Sequence, residues 1–170
     1  MEFLELAKKR WSCRKLSDRP VPRELTQKII QAGLSAPTAV NRQPIHIWHM
    51  ASPASAEAIS DVTPCTFGAR EFLVVGSRAE EGWVRGYDGR HFADVDAAIV
   101  ATHMMLAIED LGLATTWVGS FDAPRLRRRF PQMEGWDLIA IFPLGYAAED
   151  AVPSERHSQR KGEEALVTVL

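Results

Sequence analysis

The chain has 170 residues, of which 46% are hydrophobic and 25% charged, and its formal net charge is −2. That length suits one domain with a real core, and the composition is that of an ordinary globular protein. The charge excludes a general nucleic-acid binder, which needs a strong positive field, and Cys13 and Cys65, far apart and outside any CxxC pair, exclude a disulfide framework or a zinc site.

Residues 3–10 can form a short helix. Residues 12–22 are polar, basic and interrupted by proline, and read as a loop. Pro22 suits the first turn of a second helix, in which Leu25, Ile29 and Ala32 recur at helical spacing and Gly33 reads as the stop. Residues 35–44 form another loop, bracketed by Pro37 and Pro44, which disfavour helix. Residues 45–50 alternate apolar and polar types and predict a strand. Ser52-Pro53 opens a short helix ending near Asp61, residues 71–76 make a second, more apolar strand, and residues 82–89 are a loop rich in glycine and aromatic residues.

The longest helix is predicted over residues 92–111. Val95, Ile99, Thr102 and Leu106, with Ala98, Ala101, Met105 and Ile108, give it an apolar face wide enough for burial on more than one side, and Gly112 ends it. Residues 113–118 predict a buried strand, Asp122-Ala123-Pro124 caps a short basic helix, and residues 138–144 predict another apolar strand. Residues 147–162 are polar and extended, and residues 167–170 are a possible terminal strand. So long an extended tail is odd on a lone monomer and makes more sense wrapped over a partner subunit. Four to five strand-like runs among helices, without a βαβ repeat, give a mixed α and β arrangement. The opening Met1-Glu2-Phe3-Leu4-Glu5 lacks the basic and apolar regions of a signal peptide, and no apolar stretch reaches membrane-spanning length, so a reduced cytoplasmic protein is the expectation.

Four segments can carry chemistry. In Arg10-Trp11-Ser12-Cys13-Arg14-Lys15, an extended chain makes Arg10, Ser12 and Arg14 face one way, and two guanidinium forks with a hydroxyl form a receptor for a phosphate dianion; the alternative is a solvated basic helix end. In Asn41-Arg42-Gln43-Pro44, amides that donate and accept at once can read a ring edge bearing C=O and N–H groups, such as a flavin pyrimidine; the alternative is an Asx-turn. In residues 112–122, a run ending at Gly119 lets backbone approach a planar ligand and donate to a ring nitrogen; the alternative is a plain turn with Asp122 as helix cap. Arg156-His157-Ser158-Gln159-Arg160-Lys161 can complete a phosphate site from far along the chain, or be only a soluble tail. His46 and His49 read as structural. His91 beside Asp94 or Asp96 is an acid/base pair or a helix cap. Trp83 and Tyr87 either cover a pocket or pack on the core, and residues 125–129 read as a solvated basic face.

No GxGxxG, P-loop, HExxH or GxSxG motif is present. The order of the segments is what is specific. Residues 9–17 (KRWSCRKLS), 36–44 (APTAVNRQP), 110–122, Pro143-Leu144-Gly145-Tyr146 and Arg160-Lys161 together resemble the nitroreductase family of flavoproteins over nearly the whole chain.

The resemblance implies an α+β fold: a three-layer sandwich with a central, mainly antiparallel sheet flanked by helices. It implies one FMN-binding domain over residues 1–170, with residues about 147–170 as an arm embracing the partner of a homodimer. Arg10, Ser12 and Arg14 match the N-terminal phosphate and ribityl contacts, and Arg160 with Lys161 the C-terminal phosphate contact. Pro37, Thr38, Ala39, Asn41 and Gln43 match the segment that the other subunit lays against the flavin. Trp117, Val118 and Gly119 match the segment whose Gly119 N–H approaches flavin N5. No side chain is implied as catalytic; the cofactor supplies the chemistry and the protein orients it. The implied activity is a ping-pong transfer of hydride from NADH or NADPH, through the flavin, to a nitroaromatic, quinone or similar acceptor. The chain departs from the family pattern in lacking a long insertion over the flavin, in the stretch 65–71, and at Gly162, where proline is expected. Two other readings stand beside this one: a flavin-binding protein of the same fold used for flavin sequestration or reductive dehalogenation, and an interaction module without flavin.

Overall fold

The computed structural model describes residues 2–170. Five α-helices, α1 (Phe3–Lys9), α2 (Arg23–Leu34), α3 (Pro53–Ser60), α4 (Ala93–Asp110) and α5 (Ala123–Arg129), surround three strands, β1 (Ile45–Met50), β2 (Glu71–Ser77) and β3 (Asp137–Leu144). The sheet is antiparallel, in the order β1-β2-β3.

The central strands read as continuous apolar runs because both faces are covered. Leu73, Val75, Ala140 and Phe142 point to one side, where α2 and α4 supply Ile29, Val100, Met104 and Ile108. Phe72, Val74 and Ile141 point to the other, where Ile59, Val62, Leu126 and Met133 lie. Two cores on two faces of one sheet make three layers, as the resemblance implies.

Helix ends follow the sequence. Ser52 and Ser55 form a capping box around Pro53 at the start of α3. The Asp122 side chain accepts the Arg125 N–H at the start of α5. Gly112 leaves α4 with φ +73°, a conformation that strongly favours glycine.

Four expectations are corrected. Gly33 does not stop α2; it lies inside the helix, buried, where a Cβ would stand 2.7 Å from Met104 Cγ, so it lets α2 and α4 approach. Residues 113–118 are buried but form no ladder strand, only single bridges at Ala114–Gly145 and Val118–Ile141. The neighbouring β3 carries Pro143, which has no N–H, and the Thr115 hydroxyl donates to its carbonyl at 2.7 Å instead. The sheet therefore has three strands rather than four or five. Residues 167–170 form no strand, because no ladder partner meets them among the described residues; Val169 is 94% exposed.

The wide apolar face of α4 is half correct. Its buried row is Ala97, Val100, Ala101, Met104 and Ile108, whereas Val95, Ala98, Ile99 and Leu106 are only half-buried and Thr102 is exposed. One side of α4 thus remains partly open. Among the described residues, no helix is long and apolar enough to cross a membrane.

Candidate flavin site

Arg10 caps α1 and turns the chain extended at ψ 129°, its own N–H bonding the Leu6 carbonyl. From there the backbone alternates. Cys13 and Leu16 turn inward and pack on Ala114, with the Cys13 N–H on the Thr115 carbonyl at 2.9 Å and the Leu16 N–H on the Phe67 carbonyl at 2.9 Å. Arg10, Ser12 and Arg14 turn outward, as a period of two demands.

These three line one cavity of about 460 Å³ with Ser154, Arg156, His157 and Arg160. The tail reaches it because the Ala148 N–H bonds the Lys15 carbonyl at 3.0 Å and Leu16 bridges Ala147. The lining holds four guanidinium groups, two hydroxyls and an imidazole, and no carboxylate. On a chain of net charge −2 this is a concentrated positive field, and guanidinium forks suit a phosphate monoester better than any neutral ligand. Arg160 lines the cavity and Lys161 does not; Ser154, Arg156 and His157 join it. Arg156 and His157 were legible only as part of a basic cluster, and Ser154 carried no signal.

Residues 38–43 lie elsewhere. Val40, Asn41 and Gln43 have φ of +50°, +55° and +53°. For a β-branched valine this is a strained conformation. The turn is tied down on several sides: the Ala39 N–H donates to Asp96 Oδ1 at 2.8 Å, the Gln43 N–H to Thr38 Oγ1 at 3.0 Å, and Arg42 Nη1 to the Gly82 carbonyl at 3.2 Å. Pro37, Asn41 and Gln43 are exposed, and Thr38 and Ala39 half-buried.

The two regions stand at opposite ends of α4. Near its start Asp96 holds Ala39, and near its end Glu109 faces Lys9 Nζ at 3.7 Å. At about 1.5 Å per residue those positions are ~20 Å apart along the axis. The structure therefore does not bring Asn41 and Gln43 to the arginine cavity of their own chain.

The 113–119 segment runs beside the cavity through the Cys13–Thr115 bond. Val118 is buried against Ile141, and the Trp117 ring meets Phe142 edge-on at 5.4 Å, so both side chains serve the core. Gly119 is exposed, a Cβ there would meet nothing within 4 Å, and among the described residues its N–H has no partner.

The remaining candidates resolve into structural roles. Asp94 accepts the Ser77 hydroxyl at 2.6 Å and Asp96 serves Ala39, so neither pairs with His91. His49 bonds Glu71 at 2.7 Å. His46 stacks near Trp48 and Trp136, and burial first, Arg78 second, hold its imidazole below the ordinary value. Trp83 packs on Phe92 at 5.1 Å, while Tyr87 is fully exposed.

The Nitroreductase family profile matches residues 7–64 and 63–146. The chain belongs to the nitroreductase family. A Methanothermobacter thermautotrophicus protein with an NADH dehydrogenase/NAD(P)H nitroreductase designation is 31% identical, over 88% of this chain and 80% of its own. The iodotyrosine deiodinase of Nematostella vectensis is 24% identical, over 88% and 69%. A nitroreductase family protein of Clostridium difficile 630 superimposes with a TM-score of 0.90 at 33% identity, over 99% of this chain and 98% of its own. A Bacteroides fragilis nitroreductase with bound FMN shares the fold, with a TM-score of 0.78 at 20% identity and coverage of 100% and 99%.

Proposed function

We propose that this nitroreductase-family oxidoreductase is an FMN enzyme that works as a homodimer and takes electrons from NADH or NADPH. The observation that carries the reading is the cavity in which Arg10, Ser12, Arg14, Arg156 and Arg160 converge without a carboxylate. A flavin mononucleotide ends in a phosphate monoester, and this donor set fits it.

Bound there, FMN would supply the two-electron chemistry that links nicotinamide oxidation to reduction of a nitroaromatic, quinone or similar acceptor. The residues of the chain bind and orient. The arginines neutralise the phosphate and fix one end of the cofactor. Gly119, exposed and without a side chain, offers its free N–H to the ring system. Asn41 and Gln43 offer amides to the pyrimidine edge, together with the backbone of Pro37, Thr38 and Ala39. The separation along α4 supports a reading in which those amides serve the site of the partner subunit. The half-buried side of α4 and the exposed arm beyond residue 147 supply apolar surface for such a pairing.

A second reading concerns the acceptor alone. Similarity to an iodotyrosine deiodinase favours reductive dehalogenation on the same flavin site. Both are tested by loading the protein with FMN and adding NADH or NADPH without oxygen. The proposal predicts that the flavin bands bleach and that a nitroaromatic or quinone restores them. Bands that persist with both nicotinamides, yet bleach with dithionite and return with a halogenated phenol, favour the second reading. No retained flavin contradicts both.

A further inference from the structure

We infer that Asp96 is a positioning residue: it holds the 38–43 turn in its left-handed conformation and so aims the Asn41 and Gln43 amides at the flavin edge. The inference rests on the reading of that turn given above.

Asp96 is 1% exposed, one turn into α4, and its Oδ1 takes the Ala39 N–H from 57 residues away at 2.8 Å. Its Oδ2 is the one buried side-chain polar atom without a hydrogen-bond partner among the described residues. A buried carboxylate is costly unless it is compensated; the start of α4, in whose first turn Asp96 lies, favours its charge, and the Ala39 N–H is its one hydrogen-bond partner. An apolar residue would pack more cheaply there. The carboxylate sits instead directly behind the strained turn.

Left-handed conformations at Val40, Asn41 and Gln43 persist only where the surroundings over-determine them. Asp96 and Thr38 are the two side chains that accept backbone N–H groups of this turn. Asn41 and Gln43 are exposed, and the Gln43 amide donates to the Asn41 carbonyl at 3.3 Å, so the turn's own backbone sets where these side chains leave the chain and holds one of them. Asp96 therefore governs these donors without touching them. The added electrons of a reduced flavin raise the negative charge at the pyrimidine edge, and donors held there stabilise that state more than the oxidised one. Loosening them lowers both the affinity for FMN and its reduction potential.

The test compares wild type, D96A and D96N by hydrogen exchange over residues 36–44 without FMN, by FMN affinity and by the reduction potential of the bound flavin. In D96A, exchange in residues 38–43 is expected to rise about tenfold, as for loss of one hydrogen bond to a charged group. FMN affinity should fall by a similar factor and the potential should move negative. D96N keeps an oxygen that can accept from Ala39, and is expected to restore the protection, the affinity and the potential. Wild-type exchange over 38–43 in D96A overturns the inference, as does exchange that rises equally throughout the chain, which would mark a merely structural role. Faster exchange with unchanged affinity and potential overturns it too. D96N is isosteric and is expected to fold even if D96A does not; a loosened turn in D96N contradicts the acceptor role. Failure of wild type to take up FMN would sink the proposed function, while the exchange data would still decide whether Asp96 holds the turn.

Discussion

The backbone N–H of Cys13 donates to the Thr115 carbonyl at 2.9 Å, and this bond lays the segment bearing Arg10, Ser12 and Arg14 beside the one that ends in Gly119. The parts proposed to hold the phosphate and to face the ring are thus joined within one chain. The bond also places the Cys13 side chain inward, 1% exposed, where burial pushes its thiol above the ordinary value. The nucleophile is the thiolate, so Cys13 should resist alkylation although it sits in a basic motif. Cys65 is partly exposed and should react first. Peptide mapping after iodoacetamide checks this; rapid labelling of Cys13 in the folded protein would contradict the inward placement.

Arg10→Ala and Arg14→Ala should each weaken FMN binding by about 1.5–3 kcal/mol, the range for a hydrogen bond to a charged group. Arg10 is half-buried and Arg14 exposed, so Arg14→Ala should fall at the low end. Fluorescence titration of FMN measures both. Unchanged affinity in the two variants would remove the phosphate assignment.

Gly76→Ala should destabilise the fold by about 1–3 kcal/mol through overpacking. Gly76 lies at the bulge between Val75 and Gly76, and a Cβ there would stand 2.9 Å from Trp48 Cζ3 and 3.1 Å from the Asp137 carbonyl oxygen. The carbonyl belongs to the backbone of β3 and has little room to give. A urea midpoint equal to that of wild type would refute this.

His46 gives a pH dependence whose sign follows from its lowered value. Between that value and the ordinary 6.5, the unfolded chain binds more protons than the folded one. His46 therefore costs no stability above 6.5 and destabilises progressively as the pH falls through its folded value. The effect is small, since the side chain is exposed at one edge. His46→Gln should lose less stability than wild type on going from above 6.5 to below it, measured by urea unfolding. An identical loss would mean that other groups carry the acid sensitivity.

What the sequence disclosed and what it withheld have physical reasons. Local signals were legible: Pro22, Ser52 and Asp122 marked helix starts, Gly112 marked the end of α4, and alternation about Cys13 placed Arg10, Ser12 and Arg14 on one side. Non-local relations were not. Gly33 reads as a stop until Met104 is seen against it. Residues 113–118 read as a strand because they are apolar, but ladder formation depends on Pro143 in the neighbouring strand. The link from Asp96 to Ala39 spans 57 residues, and no local pattern announces it. Arg156 joined the cavity rather than Lys161 because the turn of the tail, and not its composition, decides which cation faces inward.

The central claim is a flavin site shared by two copies of this chain, and sedimentation velocity with separate detection of protein and flavin tests it most directly. Each chain weighs 18.9 kDa. The account predicts that all the FMN travels with a species of twice that mass, at one flavin per chain. Flavin travelling with the single chain, or a dimer that carries none, would contradict it.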